Sequence, residues 1–185
     1  MLFPAQGSWT EEEYLDLPGN HLVEFSDGHI EVLEMPTMSH QLIVAYLYRV
    51  LHEFVKARSL GRVLFSALPV RLRPGKFREP DVLYLAAEHR DRAQEQFWNG
   101  ADLVMEVVSA NDPKRDLEVK RAEYAQAGIP EYWIINPRSG QITVLALEGD
   151  QYVLHGQFSS GQIASSRLLD GFTVDVAAVF AAAHE

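Results

Sequence analysis

Apolar residues recur at helical spacing through one long stretch: Leu42, Val44, Ala45, Leu47, Tyr48, Leu51, Phe54 and Val55. That period turns one face of a helix toward a core. It predicts a helix capped by Ser39 and ended before Gly61. A second pattern has no period. Leu103–Val108 reads LVMEVV, nearly continuous and with a single charge, as in a strand covered on both faces. Tyr132–Asn136 reads the same way, and Lys114–Ala127 between them is helical, closed by Gly128 and Pro130. Strand, helix and strand within about 35 residues predict a right-handed parallel crossover.

Shorter patterns surround this unit. Thr10-Glu11-Glu12-Glu13 is a capping box, opening a short helix that runs to Leu17 and ends near Pro18-Gly19. His21–Ser26 and Ile30–Met35 flank the hairpin turn Asp27-Gly28. Val63–Ser66, Pro69–Leu72 and Val82–Leu85 read as strands, and residues 86–100 as irregular. Gln141–Leu147 and Gln151–Gly156 form a second hairpin, residues 162–174 are extended, and Val176–Ala183 is a terminal helix. The expected class is α/β (α+β), a mixed central sheet flanked by helices, in a single domain spanning residues 1–185.

Composition narrows the chemistry. At 47% hydrophobic and 23% charged residues, the chain can bury an ordinary core and is not disordered by composition. Without cysteine it has no disulfide framework, thiolate metal site or thiol nucleophile. The first residues lack a basic region followed by an apolar run, and the apolar stretch Val174–Ala183 is too short to span a bilayer. A cytoplasmic protein is therefore expected. HExxH, a glycine-rich phosphate loop, GxSxG and zinc-ligand spacing are all missing. A net charge of −10 counts against a broad phosphate-binding surface. Arg71, Arg73, Lys76 and Arg78 nonetheless make a local basic strip, either a solvated loop or a phosphate contact.

Two carboxylates stand out. Asp81 opens one predicted strand and Glu106 lies inside another. A carboxylate among valines, leucines and methionines is costly to bury unless it is paired or on a metal. Acids on neighbouring strands with a backbone carbonyl nearby make a hard oxygen site for Mg2+ or Mn2+, unless Glu106 instead lies on an exposed edge or bonds an arginine. Asp116, Lys120 and Tyr124 follow at i, i+4 and i+8 and share a helix face. A crossover helix packs against the strand before it, so Lys120 can reach Glu106; the alternative is an ordinary surface Asp–Lys pair. Glu24, in LVEF, is either a further acidic group of the site or a hairpin residue facing solvent. His40 is a capping or packing residue, or faces the same cleft.

Taken together, VEFSDGHIEVLEMPTMSHQ, REPDVLYL, ADLVMEVVSANDPKRDLEVKRAEYAQAGIPEYWIINP and LLDGFTVDV resemble the Uma family of restriction-endonuclease-like proteins, abundant in cyanobacteria, within the PD-(D/E)xK nuclease superfamily. The resemblance spans nearly the whole chain. It implies a restriction-endonuclease-like domain and a Mg2+- or Mn2+-dependent endonuclease acting on nucleic acid, with DNA favoured. Asp81 matches the acid of the PD element and Glu106 that of the (D/E)xK element. The lysine of that element would stand at position 108, where this chain has Val108, and Lys120 on the following helix takes its place. Glu24 matches an additional acidic position. The implied metal set is Asp81, Glu106 and the carbonyl of Val107, with Lys120 and Glu24 completing the catalytic group. A homodimer is expected by analogy with enzymes that cut duplexes. The other readings are a catalytically degenerate binding or regulatory module and a hydrolase of a small phosphorylated substrate.

Overall fold

The computed structural model describes residues 3–18 and 22–184. Helix α1 (Glu11–Leu15) carries the expected capping box: the Glu13 amide donates to the Thr10 hydroxyl, and the Thr10 amide donates to the Glu13 carboxylate. It ends at Leu15, short of Leu17, with Asp16 as its cap. Gly19 and His21, assigned by the sequence to the turn and the next strand, lie outside the described residues. Strands β1 (Val23–Ser26) and β2 (His29–Val32) pair antiparallel. Their tight turn needs left-handed backbone at both central residues, supplied by Asp27 at φ 47° and Gly28 at φ 83°.

Helix α2 (Met38–Ala57) is capped by Thr37, not Ser39: the Thr37 hydroxyl accepts from the His40 amide at 3.2 Å. Gly61 does not follow the helix end directly but opens strand β3 (Gly61–Phe65). The basic strip is not a loop. It lies on strands β4 (Val70–Arg73) and β5 (Lys76–Arg78) of a hairpin. Strands β6 (Val82–Ala86), β7 (Trp98–Asn99) and β8 (Leu103–Val107) follow. The expected continuous helix is interrupted. Over Arg115–Val119 it widens into a π-turn, in which the Lys120 amide donates to the Arg115 carbonyl five residues back, and helix α3 (Lys120–Gln126) continues it. The Tyr132 hydroxyl donates to the Asp116 carbonyl inside that turn, at 2.9 Å.

Strands β9 (Glu131–Asn136), β10 (Gln141–Glu148) and β11 (Gln151–Ser159) complete a six-stranded sheet ordered β11-β10-β9-β8-β6-β3. Within this sheet, among the described residues, only β8 and β9 run parallel, joined by the crossover through α3 as expected. The hairpins outside this sheet form a separate five-stranded sheet, β2-β1-β5-β4-β7, which the hydrophobic pattern did not separate from the first. The predicted extended segment resolves into β12 (Ile163–Ser165) and β13 (Thr173–Asp175), an antiparallel pair, before α4 (Val176–Ala181).

The six-stranded sheet is covered on both faces, which is why β8 and β9 carry almost no polar residues. Leu103, Met105, Val107, Trp133 and Ile135 pack with Leu47 and Leu51 of α2 and Val179 of α4. Val104, Val108, Tyr132 and Ile134 pack on the other side with Tyr124 and Ala125 of α3. A small third core of Tyr14, Phe25 and Phe77 joins α1 to the five-stranded sheet. Glu131 pins the C-terminal segment: its buried carboxylate accepts from the Trp133 ring N–H, the Ser166 hydroxyl and the amides of Arg167 and Leu168, all within 2.8 Å.

Candidate active site

Period-2 alternation decides where Glu106 points. Leu103, Met105 and Val107 face α2, so Glu106 faces α3. There its Oε1 accepts from Lys120 Nζ at 2.9 Å and from the Tyr124 hydroxyl at 2.5 Å. The helix face of Asp116, Lys120 and Tyr124 is thus turned inward, and Lys120 is 5% exposed, not a surface residue. Its Nζ also lies 3.5 Å from Asp116 Oδ1 and 3.7 Å from Glu24 Oε1.

Asp81 stands immediately before β6. The pairing of Val82 with Met105 continues to place Asp81 beside Glu106 on the neighbouring strand. Asp81 Oδ2 accepts from the Val107 amide at 2.7 Å. His40, in the first turn of α2, brings its Nε2 to 3.3 Å from Asp81 Oδ2 and 3.1 Å from the Val107 carbonyl oxygen. Asp81, Glu106, Val107, Lys120 and Glu24 therefore belong to one connected cluster, and His40 joins it. The cluster opens to solvent at Asp81 and His40, whose side chains are 14% and 19% exposed, while Glu106 and Lys120 lie behind them.

Glu24 does not face solvent. It is fully buried, accepts from the Glu79 amide at 3.0 Å, bonds Arg115, and lies 3.4 Å from Arg78 Nη1. Arg115 also bonds Glu31 at 2.7 Å. The remaining strip cations are paired as well: Arg71 with Glu11 at 2.8 Å, Arg73 with Asp27 at 2.7 Å, and both Lys76 and Arg78 with Glu123 at 2.6 and 2.7 Å. Arg115 and Glu79 escaped the sequence reading because their partners are distant in the chain. Tyr124 was visible on the shared helix face, but its hydrogen bond to Glu106 was not.

The balance of charge sets the proton affinities. Burial pushes the Glu106 carboxyl up to about 8, with Asp81 and Asp116 adding to the rise and Lys120 and Tyr124 opposing it. Burial likewise raises Asp116. For Lys120, burial works against the charge, but Glu106, Glu24, Asp116 and Asp81 outweigh it and hold the pKa above the usual lysine range. Burial would raise Glu24, but Lys120, Arg78 and Arg115 keep it below the ordinary carboxylate value. His40 is raised, burial being outweighed by its hydrogen bond to Asp81.

Among the described residues, no three acidic or histidine side chains form a metal-holding group by themselves. The set that could hold one is two carboxylates, Asp81 and Glu106, with the Val107 carbonyl. An all-oxygen set of this kind suits a hard cation that keeps several waters. The raised Glu106 carboxyl fits this: burial and the neighbouring acids Asp81 and Asp116 disfavour its charge beyond what Lys120 relieves, and a divalent cation would favour it.

A mixed sheet, acids at one end of two neighbouring strands, and a lysine on the crossover helix define the restriction-endonuclease-like class of nuclease fold. The chain belongs to the Uma2 family, described as "Putative restriction endonuclease", which it matches over residues 11–177. Its fold is similar to the crystal structure of a "putative nuclease belonging to DUF820" from Anabaena variabilis ATCC 29413, with a TM-score of 0.77 and 16% identity over 95% of this chain and 99% of that one. No protein with a curated description matches the chain. Among the described residues no helix is long and apolar enough to cross a membrane.

Proposed function

We propose that the protein is a metal-dependent endonuclease that hydrolyses phosphodiester bonds in nucleic acid, DNA in particular. The observation that carries this reading is the placement of Asp81, at the solvent-facing end of the cluster, beside the buried Glu106 and the Val107 carbonyl, with Lys120 as the buried cation. Asp81, Glu106 and Val107 would hold Mg2+ or Mn2+. Bound there, the ion supplies a water of lowered pKa and offsets charge on the scissile phosphate.

The chain's own groups do the rest. Lys120, kept protonated by Glu106, Glu24 and Asp116, presents a fixed positive charge to the phosphate oxygens or orients the attacking water. Glu24 acts through Lys120 and Arg115 rather than on the substrate, since it is wholly buried between them. Tyr124 and Lys120 both occupy Oε1 of Glu106, which leaves Oε2 for the cation. Two copies of the chain would place two centres on a duplex, and exposed Leu154, Ile163 and Leu168 offer apolar surface for such pairing. Light scattering tests this; a monomer at working concentration removes it.

The test of the activity is cleavage of DNA, RNA and a small phosphodiester with Mg2+ and with Mn2+, in wild type and Asp81→Ala. Loss of DNA cleavage in the variant is the expected result. Cleavage that survives the substitution overturns the proposal.

A further inference from the structure

Beyond the C-terminal end of α3 lies a cavity of about 390 Å³ between that helix end and strands β4 and β7. Arg71, Arg73 and Arg92 line it together with Asn99, and Ala127 and Gly128 close one wall. No carboxylate is among its lining residues, in a chain whose net charge is −10. The ion pairs of these arginines leave capacity unused. Arg71 and Arg73 bond Glu11 and Asp27, neither of which lines the cavity, and Arg92 lies 3.9 Å from Asp102. The Nε of Arg71 is buried with no hydrogen-bond partner among the described residues. Three guanidinium groups beside a polar amide, in a hollow without acids, are chemistry for a phosphate group, which accepts several N–H donors at once.

We infer that this cavity is a phosphate-binding site for a nucleic acid strand, set apart from the catalytic cluster and holding the strand's backbone. The inference rests on the nuclease reading for its choice of substrate. Position supports it. Helix α3 begins at Lys120 in the cluster and reaches Ala127 at the cavity, about 10 Å along its axis. Phosphates of one duplex strand advance by about 3.4 Å along the axis, so a strand in the cluster would bring a phosphate to the cavity roughly three nucleotides away. A smaller hollow lined by Arg73, Lys76 and Ala127 adjoins the cavity, and Glu123 in its wall bonds Arg78, which contacts Glu24.

The experiment is fluorescence anisotropy with a 5′-labelled 16-nucleotide single strand in EDTA, comparing wild type with R71Q/R73Q/R92Q. The expected result is a Kd raised at least tenfold and a salt dependence whose log–log slope falls by about 0.7, the value for one phosphate no longer neutralised. If the triple variant fails to fold, Arg92→Gln alone, the least closely paired of the three, should raise Kd about threefold. An unchanged Kd and slope overturn the inference. Calorimetry with inorganic phosphate and with dAMP forms the second arm: either binding as tightly as the strand overturns the strand assignment, and weak binding of both supports it. Metal-dependent cleavage by the wild type is scored separately. Strand binding lost in the variant while the wild type cleaves nothing leaves the phosphate site standing and removes the nuclease reading; cleavage with unaltered binding in the variant does the reverse.

Discussion

The Nε2 atom of His40 lies 3.1 Å from the carbonyl oxygen of Val107, 67 positions along the chain. The same nitrogen is 3.3 Å from Asp81 Oδ2. His40 thus touches two of the three groups assigned to a divalent cation and fixes how they stand to one another. Groups that orient metal ligands are typically worth 10- to 100-fold in affinity. His40→Ala is accordingly expected to weaken Mn2+ binding by about that factor, measured by calorimetry. An unaltered affinity would remove His40 from the site.

Lys120 compensates three buried carboxylates at once. Removing one partner of a buried ion pair costs about 3–5 kcal/mol, because the other charge is left without compensation. Lys120→Met should therefore lower stability by about that amount in chemical denaturation and abolish cleavage. Adding Glu106→Gln removes the carboxyl whose proton affinity the loss of Lys120 raises further, and should restore part of the stability with no return of cleavage. A double variant as unstable as the sum of the two single variants would show that the 2.9 Å contact carries no coupling.

Tyr124→Phe tests whether Glu106 must be held by two donors. The lost hydrogen bond is worth about 1 kcal/mol of stability. The expected kinetic effect is a fall of about tenfold in kcat with KM little changed, since the hydroxyl positions a ligand and touches no substrate. A change confined to KM would contradict that role.

Glu123 gives a pH-dependent prediction away from the proposed metal site. Burial would raise its carboxyl, but hydrogen bonds from Arg78 and Lys76 hold it below the ordinary carboxylate value. A lowered folded-state pKa contributes stability that is present above the unfolded value near 4.5 and is lost as pH falls through the folded one. Glu123→Gln should cost about 2 kcal/mol at pH 7, a figure kept below that for an isolated buried pair because Arg78 retains Glu24 and Glu31. The gap between variant and wild type should close as pH drops below the ordinary carboxylate range. A gap independent of pH would mean that the loss is one of packing.

Much of the site was legible because it sits on strong local patterns. Glu106 interrupts an apolar run, and the period of the following helix puts Lys120 and Tyr124 on one face. The parallel crossover and the hairpin at Asp27-Gly28 were legible for the same reason. What escaped depends on pairs far apart in sequence. Glu24 stayed open between an acidic group of the site and a solvent-facing hairpin residue, because its partners Arg78, Lys120 and Arg115 arrive from other elements. The basic strip stayed open between a solvated loop and a phosphate contact, because the alternation of β4 and β5 is short and highly charged. The π-turn has no residue-type signature, and Thr37 competed with Ser39 as a cap of the same chemistry.

The four hydrogen bonds converging on Glu131 make the end of the chain a dependent of the sheet. Releasing the segment around Arg167 would leave an anion in the protein interior with a single indole N–H for company. Local fraying there is therefore closed off as a low-energy route, and the β12–β13 hairpin shares its opening with the β9 strand to which it is tied. Amide exchange at Arg167 and Leu168 becomes a report on global unfolding, from a part of the chain that looks peripheral.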